Sequence, residues 1–275
     1  MMAKKALLVL SEYGYWGEEL LGPLTYLDKA GYESTFVTSK GKRAHALPPS
    51  MDPNYIDPPL GCAVTSAESA AKVRQLDESS RLDNPVNLSK WMPERPYFSS
   101  PNFLRALEQY YKDRVKVFKE LESYAVLVLV GGSGPLVDMV NNQRVHDLIH
   151  GFYQADKPIG AICYGVTCLA FARELHERKC LIRGKHVTGH CIEYDYKDGT
   201  GFLGTDFVIG PPPYPLEYVL TDAVGPEGQY QGNFGKPTSV IVDYPFITAR
   251  SNQCSFEFGE QLVNVLENGL RRYGW

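Results

Sequence analysis

Two uninterrupted apolar runs, Ala6-Leu7-Leu8-Val9-Leu10 and Ala125-Val126-Leu127-Val128-Leu129-Val130, constrain the fold of this chain most strongly. Each has the length of a strand, and neither alternates with polar residues, so both faces of the sheet they enter must be covered. A helical stretch from about Glu18 to Ala30, closed by Gly31, follows the first run, and Ser34 to Thr38 reads as the next strand. Strand, helix, strand with buried strands predicts a parallel sheet built from right-handed crossovers, an α/β class of fold.

The remainder continues the alternation. Residues 39–62, rich in Pro and Gly, read as an ordered loop, 63–76 as a helix, and 77–101 as a polar, Pro-punctuated loop. Leu104, Leu107, Tyr111, Val115 and Phe118 recur at helical spacing, giving an amphipathic helix over 102–121. A helix is expected around 141–155, a strand before Cys163, a helix over 166–175 and a strand near His186 to Thr188. After a Gly- and Pro-rich stretch at 191–213 come a helix near 214–223, paired strands around 238–242 and 246–249, and a closing helix from about 253 to 271. No repeat or linker interrupts this order, so one domain over residues 1–275 is expected, with insertions at about 40–120 and 191–213.

Composition narrows the function classes. With 44% hydrophobic and 22% charged residues the chain is that of an ordinary soluble globular protein, and a net charge of −4 gives no reason to expect nucleic acid or an anionic membrane as partner. No apolar run approaches the roughly 18 residues of a membrane span, and no signal segment opens the chain. The six cysteines are scattered without a CxxC pair, which suits reduced thiols and a cytoplasmic location.

Cys163 stands where an apolar run ending in Ala161-Ile162 turns into a helical run, and Gly165 gives such a turn its room. A thiol held there points out of the sheet, and N–H groups at the helix start favour its thiolate, which is the geometry of a nucleophile. The other reading is a small buried hydrophobe. Gly131-Gly132-Ser133-Gly134 ends a central strand at the edge where ligands of open α/β folds bind; its N–H groups would hold an oxyanion beside Cys163, or simply make a tight turn. The run matches neither a dinucleotide fingerprint nor a P-loop. Glu18 and Glu19 open the first helix, where acids satisfy the helix dipole; alternatively one of them leans over to the thiol and carries protons. His146, His150 and His176 lie on amphipathic helices and are expected to be solvated, and His45 is in a loop. His190-Cys191-Ile192-Glu193 is not expected to bind metal, because strand alternation sends neighbours to opposite faces; His190 is instead the imidazole that would reach Cys163 from another strand.

In order, these pieces resemble the DJ-1/ThiJ/PfpI superfamily, of the class I glutamine amidotransferase-like fold, and within it the larger branch of heat-shock chaperone and glyoxalase proteins. The resemblance rests on Gly14-Tyr15-Trp16-Gly17-Glu18-Glu19 with Pro23, Ser39-Lys40-Gly41 with Ser50-Met51-Asp52-Pro53, the Gly131–Gly134 turn, Ala161–Gly165, and Val242-Asp243-Tyr244-Pro245-Phe246-Ile247-Thr248. It implies a flavodoxin-like three-layer sandwich, mostly parallel, acting without a cofactor on a small-molecule substrate, commonly as a homodimer. It also implies Cys163 as nucleophile, Glu19 as the carboxyl that contacts it, and N–H groups of Gly132 or Ser133 together with Tyr164 as the oxyanion site.

Two positions depart from the glyoxalase-type pattern: Tyr164 stands where His directly follows the cysteine, and Ser133 where many members have His. A phenol with an ordinary pKa of about 10 does not simply replace an imidazole base. The leading expectation is therefore a cysteine-dependent enzyme acting on a small electrophile, of hydratase, lyase or hydrolase type, with glyoxalase chemistry depending on His190 reaching the pocket. The alternative is a stress-responsive chaperone or cysteine redox sensor without turnover. The segment 77–101, with Trp91, Tyr97 and Phe98, is expected to cap the pocket and select its substrate.

Overall fold

The computed structural model describes residues 4–174, 176–195 and 215–275. Its frame is an eight-stranded sheet formed by β1 (Lys5–Val9), β2 (Glu33–Thr38), β3 (Val86–Asn87), β4 (Val126–Leu129), β5 (Ile159–Ile162), β6 (Val240–Asp243), β7 (Phe246–Ala249) and β8 (Arg272–Tyr273). The spatial order is β8-β6-β7-β5-β4-β1-β2-β3. Neighbours from β7 to β3 run parallel, and the antiparallel pairs β6–β7 and β6–β8 close one edge. The two apolar runs that forecast the sheet are its centre: β1 pairs with β4 with Ala6 opposite Val126 and Val9 opposite Leu129, all fully buried or nearly so.

Helices of five or more residues among those described are α1 (Gly17–Lys29), α2 (Ala67–Glu78), α3 (Phe103–Leu121), α4 (Gln143–Gln154), α5 (Thr167–Phe171), α6 (Leu216–Val224) and α7 (Ser255–Asn268). α1, α2 and α7 pack together on one face of the sheet, and α3 to α6 on the other, which is the expected three-layer sandwich. The strand at His186–Val187 exists, but it pairs with Gln229–Tyr230 in a separate two-stranded parallel unit. Most of the stretch 191–213 lies outside the described residues.

Three sequence expectations are corrected by packing. The helix after Cys163 is shorter than the 166–175 expected: a 3-10 turn over Cys163–Val166 leads into α5, which ends at Phe171. α3 exists, yet its inward face is Tyr110, Arg114, Val117 and Leu121, whereas Leu104, Tyr111 and Val115 of the apolar stripe are exposed. The physical reason is a polar contact: Tyr110 donates to the buried Asp147 of α4 at 2.7 and 2.9 Å, and Arg114 approaches the same carboxylate at 3.3 Å. The histidines of α4 are likewise not solvated. His150 is buried and pushed down to about 4 by burial and the nearby Arg114 charge, and burial lowers His146 as well.

Candidate functional site

Glu19, Gly132, Ser133, Cys163, Tyr164 and His190 all line one cavity of about 200 Å³ at the carboxyl edge of β1, β4 and β5. β5 delivers Cys163: the strand ends at Ile162, and the next residue takes φ +54°, a left-handed conformation that costs an L-residue roughly 1–3 kcal/mol. Such local strain persists only where the surroundings over-determine it. Here Gly165 presses against the end of β4, and a Cβ on it would stand 2.5 Å from the Leu129 carbonyl oxygen. The turn thereby holds the sulfur above the sheet edge.

Around the sulfur, α1 contributes Glu19, whose carboxyl is hydrogen-bonded to the Cys163 thiol and to the Gly132 N–H. Glu19 is 2% exposed, and burial lifts its carboxyl from 4.5 to about 8, against the lowering effect of those two hydrogen bonds. It is therefore mostly protonated at neutral pH. The thiol is pushed well above its ordinary value, by burial first and then by Glu19, while the N–H groups of Gly132 and Tyr164 act in the opposite sense. This corrects the expectation of a thiolate favoured by the helix start. The helix that follows is short, and burial beside a carboxyl outweighs two N–H donors. The neighbouring Glu18 points elsewhere. It accepts from Thr65 Oγ1 at 2.6 Å and Trp16 Nε1 at 2.8 Å, tying α1 to the chain that covers the cavity.

Space beside Glu19 is closed by Gly131. A Cβ there would lie 2.3 Å from the Ile162 carbonyl oxygen, 2.4 Å from Glu19 Oε2 and 2.8 Å from Cys163 Cβ. Gly131→Ala is expected to lower stability by about 1–3 kcal/mol through overpacking. Thermal unfolding checks this, and an unchanged melting temperature would show that the Cβ is absorbed.

His190 enters from the segment after His186–Val187. Its backbone is pinned by Thr188 N–H donating to Thr248 Oγ1 at 3.0 Å, and by Tyr230 Oη donating to the carbonyls of Gly189 and His190 at 3.2 and 3.3 Å. The ring stacks on Tyr164 with centroids 4.1 Å apart, placing Nδ1 3.5 Å from Cys163 Sγ. Nε2 lies 3.0 Å from Asp195 Oδ1, at ion-pair distance but off the line of a good hydrogen bond. Tyr164 Oη donates to that same Oδ1 at 2.5 Å. A carboxylate beside Nε2 favours the tautomer that carries its proton there, leaving the Nδ1 lone pair toward the sulfur. Sequence reasoning gives Asp195 no role. Its one signal is its place five residues after His190, and only the tertiary structure brings it beneath the imidazole.

The cover of the cavity is also corrected. Trp91 donates instead to Glu120 at 2.7 Å, and Tyr97 and Phe98 are exposed beside Asn142 and Arg144, all away from the sulfur. The wall over Cys163 comes from residues 47–64: Leu47, Pro48 and Pro49, then Asp57, Leu60 and Val64 on a short hairpin. Pro-rich backbone needs few partners and packs its rings against the pocket, so a stretch with a loop's composition serves as a fixed lid. Burial raises the Asp57 carboxyl there above its ordinary range. Among the described residues, no group of three or more His, Cys, Asp or Glu is arranged to hold a metal ion.

Comparison with known proteins agrees with this fold. Residues 10–182 match the model described as ThiJ/PfpI family-like, and residues 113–265 match the DJ-1/PfpI family. The chain is 23% identical over 255 residues to a protein/nucleic acid deglycase HchA of Pseudomonas aeruginosa, covering 92% of this chain and 73% of that protein. It is 30% identical over 96 residues to the DJ-1 homolog D of Arabidopsis thaliana, a match to 35% of this chain but only 23% of that protein's length. Among solved structures, the rapid encystment protein of Francisella tularensis superposes with a TM-score of 0.64 at 20% identity, covering 96% of this chain and 99% of that one. A glyoxalase III from Candida albicans superposes with a TM-score of 0.60 at 17% identity, covering 96% and 98%. With the two matched models together spanning residues 10–265, each over more than half of the chain, the chain belongs to the DJ-1/PfpI family.

Proposed function

We propose that the protein is a cysteine-dependent enzyme that converts small carbonyl electrophiles, in the manner of an α-oxoaldehyde hydratase-isomerase, with Cys163 as nucleophile and His190 as its base. The observation that carries this reading is the imidazole Nδ1 at 3.5 Å from Cys163 Sγ, supplied by a residue remote from the nucleophile turn. It answers the absence of histidine at position 164. The glyoxalase III neighbour and the deglycase relative share the fold and favour carbonyl chemistry.

In this mechanism His190 accepts the thiol proton as the Sγ–C bond forms with the aldehyde carbon. The aldehyde π pair moves to oxygen, where the N–H groups of Gly132 and Tyr164 stabilise the anion. The hemithioacetal carbon then gives its proton to a base, and the adjacent ketone carbon receives one through an enediol. Glu19, held protonated at neutral pH, and His190 are the groups placed to exchange these protons. The resulting thioester is cleaved by water, which releases the hydroxy acid and returns the thiol. One water is consumed and no external oxidant or reductant is needed.

The test is glutathione-free consumption of methylglyoxal, with lactate as the readout, in wild type and Cys163→Ala. Lactate formation that vanishes in the variant is expected. Equal consumption by both proteins, or none by either, sinks the proposal. A sensor reading draws on the same pair, since the protonated Glu19 would donate a hydrogen bond to an oxidised Cys163; it predicts a redox response with no lactate.

A further inference from the structure

Away from Cys163, a second cavity of about 220 Å³ opens between α3, α4 and the residues that follow α5. Arg114 lies on its lining, 5% exposed, with its guanidinium within 4.9–5.8 Å of the ring centres of Phe118, Tyr111 and Tyr110. A guanidinium has five N–H donors. Here only Nη1 is engaged, through long contacts to Tyr110 Oη at 3.4 Å and Asp147 Oδ1 at 3.3 Å. Among the described residues Nε and Nη2 make no hydrogen bond, and Arg114 is part of the cavity's lining.

Arg114 is paired with Asp147 and lies over three aromatic rings, yet it keeps donors to spare, and a ligand that takes them would complete its shell. The surroundings indicate which. Arg95, Arg173 and Arg178 stand at the mouth, so four arginines face two carboxyls, Asp147 and Glu174. Asp147 has little left to offer a cation: its oxygens already accept from Tyr110, from the Gln143 amide and from Arg114, and burial lifts its carboxyl to about 6. His146 and His150 complete the wall, both kept neutral by burial at ordinary pH, and His146 Nε2 is spent on the Val140 carbonyl at 2.8 Å. The positive charge in the cavity is therefore that of the arginines.

We propose that this cavity binds a tetrahedral oxyanion, either inorganic phosphate or the phosphate of a small monoester, with Arg114 at the floor and Arg95, Arg173 and Arg178 at the mouth. Guanidinium forks match such oxygens in pairs, and the burial of Arg114 at the floor keeps solvent from screening its charge, while Arg95, Arg173 and Arg178 are exposed at the mouth. The site is independent of the cysteine chemistry and stands whether or not that reading holds.

Calorimetry with inorganic phosphate, glycerol phosphate and sulfate, each at ionic strength fixed with chloride, tests this on the whole chain. Saturable binding is expected, with the ring resonances of His146 and His150 moving and that of His190 unmoved. Arg95→Glu with Arg178→Glu, both at exposed positions, is expected to weaken binding at least about tenfold. Cys163→Ala is expected to bind as the wild type does. Stronger binding of glycerol phosphate than of phosphate would place the ligand among monoesters, and the reverse would favour free phosphate; either supports the site. Absence of saturable binding for all three anions overturns it, as does binding that the double charge reversal leaves unchanged while the variant keeps its melting temperature.

Discussion

His190→Ala is expected to lower the rate of lactate formation from methylglyoxal by about 10²–10⁴-fold, the usual consequence of removing a positioned acid or base. Cys163, Glu19 and the turn amides remain in place in that variant, so the thiol is still present but has lost its nearest imidazole. The loss should fall on kcat more than on KM, because proton transfer belongs to the transition state and not to substrate binding. A rate constant within a few-fold of wild type would remove His190 from the mechanism and return the proton to Glu19 alone.

Glu19→Gln is expected to separate stability from activity. In the unfolded chain this carboxyl loses its proton near its ordinary 4.5, whereas the folded protein holds it to about 8. The folded state therefore binds the extra proton throughout that window, and stability falls as pH rises through it, by about 1.4 kcal/mol per unit at most and roughly 3 kcal/mol by pH 7. Glutamine keeps the shape without the charge and escapes that loss. Its melting temperature should exceed that of wild type by several degrees at pH 7.5 and converge with it near pH 4.5. Turnover should fall by about 10²–10⁴-fold, because an amide cannot exchange protons with the substrate. A melting difference of the same size at both pH values would show that Glu19 titrates normally in the folded protein.

The Cys163 turn was legible because its signals are local. Ile159–Ile162 must be extended and buried, Gly165 allows the close approach to Leu129, and Cys163 occupies the one position between them. Glu19 was legible for a related reason: a helix that follows β1 begins at the same sheet edge, so an acid in its first turn is near whatever that edge presents. Local patterning misled where polar contacts decided burial. The stripe of Leu104, Tyr111 and Val115 has sound helical spacing, but Tyr110 and Arg114 turn inward because Asp147 and the aromatic rings of α3 give them partners. Hydrophobic periodicity cannot register a buried arginine that is paired across two helices. The lid was missed in the same way, since the aromatic residues at 91–98 were conspicuous in sequence whereas Leu47, Pro48 and Leu60 were not.

By itself the sequence determined the central strands and the longer helices in their order, the parallel centre of the sheet, and a cysteine turn with a glutamate at its edge, because each depends on contacts a few residues apart or on the period of burial. The two-residue edge strands Val86–Asn87 and Arg272–Tyr273 are too short to show a period and were not among them. Only the tertiary structure decided what that cysteine meets. His190 and Asp195 arrive from 27 and 32 positions further along the chain, with Tyr164 bonded to Asp195 across 31. That meeting is fixed by Thr248, Tyr230 and the small strand pair at 186–187 and 229–230, which hold the backbone of His190. Long-range packing of this kind leaves no period in the sequence, since it is specified by pairs of distant residues whose contact exists only once the sheet has formed.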